Sequence, residues 1–98
     1  MRVLTKEGKL QLEEDLQKCI KAMEALEEDI QRVESKIAQY RYWKTLAHIS
    51  LGVEENHPLE MNLDTHIKSE SDYYDVLNKQ YLQVFEQYHK ILRKLGRE

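Results

Sequence analysis

Apolar side chains recur at alternating steps of four and three residues along two long segments, and that spacing leaves this chain little choice of fold. The first segment reads Leu12, Leu16, Cys19, Met23, Leu26, Ile30, Val33, Ile37, Tyr40 and, past a charged step at Lys44, Ala47 and Leu51. The second reads Leu63, Ile67, Glu70, Tyr74, Leu77, Tyr81, Val84, Tyr88, Ile91 and Leu95. A heptad rhythm held for about five repeats outlasts what a surface helix needs and belongs to helix–helix packing. Gly 3 and Pro 1 in 98 residues are too few for the turns of a small sandwich or barrel. The pattern predicts an all-α fold, an antiparallel two-helix coiled-coil hairpin. Helix 1 is expected over about residues 7–51, the turn at 52–59 and helix 2 over about 60–95, within one domain, 1–98.

The ends of both helices carry matching signals. Thr5 suits an N-cap with Glu7 in the first turn, and Gly52 offers a left-handed stop after Leu51. Pro58 fits a first helical turn, and Gly96 follows Leu95 as a second stop. Ser69-Glu70-Ser71-Asp72 is a poor stretch of helix former, so a break near 68–70 competes with one continuous helix 2.

Folding back at residues 54 to 56 opposes Leu16 with Leu95, Cys19 with Ile91, Leu26 with Val84, Val33 with Leu77, and Ala47 with Leu63. The two charged seam residues, Lys44 and Glu70, then fall in adjacent layers of opposite helices and are expected to pair and set the register. Tyr74, Tyr81 and Tyr88 are bulky for a two-stranded seam and suit the margin of a wider core. A second stripe points the same way. Leu82, Phe85 and Leu92 lie off the seam of helix 2, with His89, Val76 and Tyr73 nearby, and Trp43, Leu46 and Ile49 lie off the seam of helix 1. Side chains of this size on a second face usually meet something. The expected interaction residues are therefore Tyr73, Leu82, Phe85, His89, Leu92, Trp43, Leu46 and Ile49. They would complete a four-helix bundle with a second copy or with another helical protein.

Catalysis finds no footing. There is no nucleophile triad in a recognisable context, no Gly-rich phosphate loop and no His-Glu-x-x-His. Cys19 falls in the seam, where a thiol is inert packing. His48, His57 and His66 cluster near the turn, yet none stands four residues from another, and zinc asks for three or four converging ligands. No enzyme activity, metal or cofactor is expected. No stretch approaches the roughly 18 apolar residues of a membrane span. The start turns charged before an apolar leader develops, and one cysteine fits a reducing compartment, so the expected location is cytoplasmic.

Charge is unevenly spread. Residues 54–75 hold seven acids (Glu54, Glu55, Glu60, Asp64, Glu70, Asp72, Asp75) against Lys68, while residues 76–98 are mildly basic. Net charge is -3, which disfavours nucleic acid, although a dimeric RNA-binding bundle remains an alternative because dimerisation doubles the basic patch. The acidic turn, Glu54 and Glu55, suggests another reading, a tip that enters a basic groove of a partner.

Leu4-Thr5-Lys6-Glu7-Gly8, followed by Leu12, Glu14 and Leu16, resembles the start of the N-terminal coiled coil of bacterial transcript-cleavage factors of the Gre type. In that family an acidic hairpin tip enters a channel of RNA polymerase and helps hold a catalytic magnesium. The resemblance implies a comparable tip at Glu54-Glu55-Asn56. It spans Leu4 to Leu16 only; helix 1 here is longer than the family's, and the family's Asp-x-x-Glu-Asn tip pattern and globular C-terminal domain do not occur in these 98 residues. No residue role is carried over.

Overall fold

A computed structural model describes residues 4–55 and 57–97. Met1 to Val3, where the absence of a leader was read, and Asn56 of the acidic turn lie outside the described residues. Among the described residues two helices make up the fold, α1 over Lys6–Ser50 and α2 over Pro58–Lys94, packed antiparallel as a helical hairpin. Helix α2 runs without interruption through Ser69–Asp72, because its buried stripe outweighs the weak local propensity of those four residues.

The helix ends follow from single residues. Thr5 Oγ1 accepts the Gly8 backbone N–H at 3.0 Å, and the Thr5 carbonyl accepts from Lys9 N, the two bonds of an N-cap. Gly52 and Gly96 both take positive φ, 61° and 70°, which other residues adopt at a cost. At the second, Gly96 N bonds to the Arg93 carbonyl and Arg97 N to the Leu92 carbonyl, the two reversed bonds of a Schellman stop. The N-cap of α2 is His57. Its ring Nδ1 accepts the Leu59 N–H at 3.1 Å and its carbonyl accepts from Met61 N, while Pro58 fills the first helical position, where no N–H is needed.

Contacts sort into two compact units, unit 1 from residues up to Glu28 together with Lys79 onward, and unit 2 from Asp29–Asn78. In unit 1, Leu16, Cys19 and Ile91 are buried together and Leu12, Ile20, Val84, Tyr88, Leu92 and Leu95 pack against them. Residues expected to face one another across the hairpin thus share one cluster. Polar side chains close its margin. Tyr81 Oη donates to Glu27 Oε1 at 2.9 Å, and the Arg97 guanidinium forks onto both carboxylate oxygens of Glu13, Nη1 to Oε2 at 3.1 Å.

In unit 2 the buried apolar residues are Val33, Ala47, Leu63 and Leu77, and Glu60 is buried with them at 9% exposure. The apolar seam stops at Ala47, since Leu51 is largely exposed beside the turn. Tyr74 Oη donates to Glu34 Oε1 at 3.1 Å. Tyr40 stacks on His66 with centroids 5.1 Å apart. The phenols of Tyr74 and Tyr81 therefore find acceptors on the facing helix of the hairpin itself, and the half-buried rings need no wider core to satisfy them.

Candidate interaction surface

Helix α2 buries Ile91 and half-buries Val84 and Tyr88, with Leu95 half-buried just past its end, and this seam decides what lies beside it. Leu82, Phe85, His89 and Leu92, spaced three, four and three, form the adjacent stripe. Leu82 is 55% exposed and Phe85 40%, while His89 and Leu92 are half-buried. Rings hold the stripe in place: Phe85 stacks along Tyr81 at 6.3 Å and meets His89 edge-on at 4.3 Å, and His89 meets Tyr88 at 5.4 Å.

Phe85 forms a ridge between two shallow grooves. The groove toward α1, about 360 Å³, is lined by Ile20, Met23, Glu24, Glu27, Tyr81, Phe85 and Tyr88. The groove on the far side, about 300 Å³, is lined by Phe85, Glu86, His89, Lys90 and Arg93. One has an acidic rim and the other a mainly basic one. The apolar residues of this face are legible in the sequence from their size and spacing. The opposed rims are not legible there, because they arise only once α1 lies beside α2.

Unit 2 carries a polar cluster at its turn end. Lys44 Nζ lies 2.8 Å from Asp64 Oδ1 and 3.8 Å from Glu60 Oε1. The hydrogen bond to Asp64, aided by the charges of Asp64 and Glu60, holds the Lys44 ammonium above its ordinary pKa despite partial burial. His48 Nδ1 sits 2.9 Å from the Val53 carbonyl oxygen and its Nε2 sits 3.0 Å from Glu60 Oε2. Both neighbours are acceptors. The two ring nitrogens thus face one acceptor each, and apart from His48 nothing among the described residues lies within hydrogen-bond reach of the enclosed Oε2 of Glu60. Through these two contacts His48 ties α1, the connection and α2 together.

Lys44 and Glu70 are not brought together. Glu70 lies 4.0 Å from Lys36, and Lys44 turns to Glu60 and Asp64. Those two carboxylates stand one helical turn apart on the same face of α2, so the lysine reaches two acceptors in place of one. Glu60 was missed as a seam residue, although it stands one heptad before Ile67 and was legible by that count.

The remaining candidates scatter. Tyr73, in unit 2, lines a groove with Arg32, Lys36 and Glu70. Trp43 meets Tyr40 edge-on at 5.7 Å. Leu46 and Ile49 are exposed on α1 near the turn, and so are Glu54 and Glu55 in the connection, with the Glu54 carbonyl accepting from His57 N. Cys19 is a buried free thiol, its pKa raised by burial and by the nearby Asp15 carboxylate. Among the described residues, no group of three or more His, Cys, Asp or Glu could hold a metal ion, and no helix is long and apolar enough to cross a membrane.

No protein-family model, curated protein or solved structure matches this chain. The geometry itself offers a small all-helical module with an apolar, aromatic flank and an ion-paired turn end.

Proposed function

We propose that this chain is a non-enzymatic protein-interaction module that works by packing helix against helix through the Phe85 face of unit 1. The observation that carries the reading is the stripe of Leu82 and Phe85, both exposed, directly beside the Leu16–Cys19–Ile91 core. Apolar and aromatic side chains in such a position supply binding energy, whereas exposed charges mainly steer encounter. Adaptor, inhibitor and assembly subunit are all served by this surface. A reducing compartment such as the cytoplasm suits its free thiol.

Phe85→Asp tests the reading. It is expected to leave helix content by circular dichroism near wild type and to remove association, because it sets a charge in an apolar contact. Equal loss of helicity and association would assign Phe85 to the internal core. The competing reading is the exposed acidic turn. Replacing Glu54 and Glu55 with alanine is expected to leave association unchanged, and loss of binding in that variant alone would overturn the flank in favour of the turn.

A further inference from the structure

We propose that the occupant of the Phe85 face is a second copy of this chain, related by a two-fold axis that runs along the helices of unit 1. The inference rests on the interaction reading above and names the partner. Across this face the order is fixed: the acids Glu24 and Glu27 of α1, the first groove, the Phe85 ridge, the second groove, then a rim of α2 in which Lys90 and Arg93 outnumber Glu86. Two copies packed face to face about an axis along the helices reverse this order in one of them. Each acidic rim then faces the other copy's basic rim, and with the axis set to one side of Phe85 each ridge enters a groove of the other copy. An axis laid across the helices would set acid over acid and base over base. The face is therefore self-complementary in one orientation, as a closed two-fold interface requires.

Two further observations support a second copy. Glu24 and Lys90 are exposed, and among the described residues neither takes part in an ion pair within the chain, so both charges are available to a partner. Glu27, by contrast, already accepts the Tyr81 hydroxyl. The chain also exposes 7714 Å², where a folded monomer of 11.8 kDa exposes about 5900 Å². The surplus, about 1800 Å², exceeds the roughly 800 Å² that each partner contributes to a standard interface.

Charge exchange at one position per rim tests this. Wild type, Glu24→Lys, Lys90→Glu and an equimolar mixture of the two variants are compared by sedimentation equilibrium at low ionic strength, with circular dichroism on each sample. Both positions are exposed, so helix content should hold. Wild type is expected at twice 11.8 kDa. Each variant alone meets like charge twice per dimer and should self-associate about tenfold more weakly or worse, while the mixture restores both attractive contacts and should assemble as wild type does. A wild-type mass of one chain, or a mixture no better associated than its parts, overturns the second copy. The interaction reading fails separately, if Phe85→Asp leaves every association of the chain unchanged.

Discussion

Units 1 and 2 are built from the same two helices and the same heptad rhythm, yet they hide different chemistry. Unit 1 buries Leu16, Cys19 and Ile91 in an apolar seam and keeps its charges, Glu13, Glu27 and Arg97, at the margin. Unit 2 admits charge into the seam itself: Glu60 is buried, and Lys44 and Glu70 occupy seam positions at partial exposure. Apolar layers contribute stability in proportion to area but accept a shift by one heptad, because every layer looks like the next. Charged layers add little net stability and reject wrong partners, since a misplaced ion is left without a counter-charge. The contrast teaches that one heptad rhythm can hide an apolar layer in one unit and an ion-paired layer in the other.

Truncating the best-buried residue should separate the units most strongly. Ile91, 2% exposed, is expected to cost about 2–5 kcal/mol when replaced by alanine, read as a lower midpoint in urea. The same change should expose Cys19, whose thiolate burial and Asp15 suppress, and alkylation of the thiol should accelerate accordingly. Unchanged labelling would mean that Cys19 opens independently of Ile91 and that unit 1 is not one cooperative body.

A smaller effect should come from the charged seam. Glu60→Ala removes the partner of His48 and one partner of Lys44, and is expected to cost about 1–2 kcal/mol. Replacing Lys44 and Glu60 together with leucine should be neutral or stabilising. A double-mutant cycle should show coupling between Lys44 and Glu60 and none between Lys44 and Glu70. Coupling in the second pair and not the first would mean that the register of unit 2 differs from the one described.

The smallest effect lies at high pH. Tyr81 donates to Glu27, and that hydrogen bond, then burial and the Glu27 charge, raise its phenol pKa. A group with a raised folded pKa contributes stability that is complete below its unfolded value, about 10 for tyrosine, and lost as pH rises through the folded one. Tyrosinate absorbance should show Tyr81 ionising above free tyrosine, and Glu27→Ala should bring it down. An unmoved titration would place the hydroxyl away from Glu27.

The hairpin was legible because its signal is repetitive. Each heptad position repeats the same statement, and the partners Cys19 and Ile91 follow from counting alone. The Phe85 stripe was legible as residues but not as a shaped face, because its acidic rim comes from Glu24 and Glu27, some sixty positions away on α1. The turn cluster was legible only in part. Lys44 announced itself as a charge in a seam, but its partner depends on which way a flexible four-carbon stem turns, and two carboxylates at Glu60 and Asp64 outweigh one at Glu70. The tie from His48 to Val53 left no trace, since the acceptor is a backbone carbonyl that every residue owns.

The rung between Arg97 and Glu13 joins residues 84 positions apart, whereas the rung between Tyr74 and Glu34 spans 40. Each doubling of the intervening chain adds about 0.6 kcal/mol of closure entropy. Contacts beside the turn are thus the least costly to make first, and the hairpin is expected to zip from that end toward its termini. On that expectation the ion-paired layers of unit 2 form while the chain is still choosing its alignment, and the apolar layers of unit 1 close last, where the loop is longest and the burial most rewarding. Circular permutation, with the termini joined and the chain opened at the connection, would invert this order: unit 1 would collapse early with no charged layer yet in place to set the alignment of the two strands of helix.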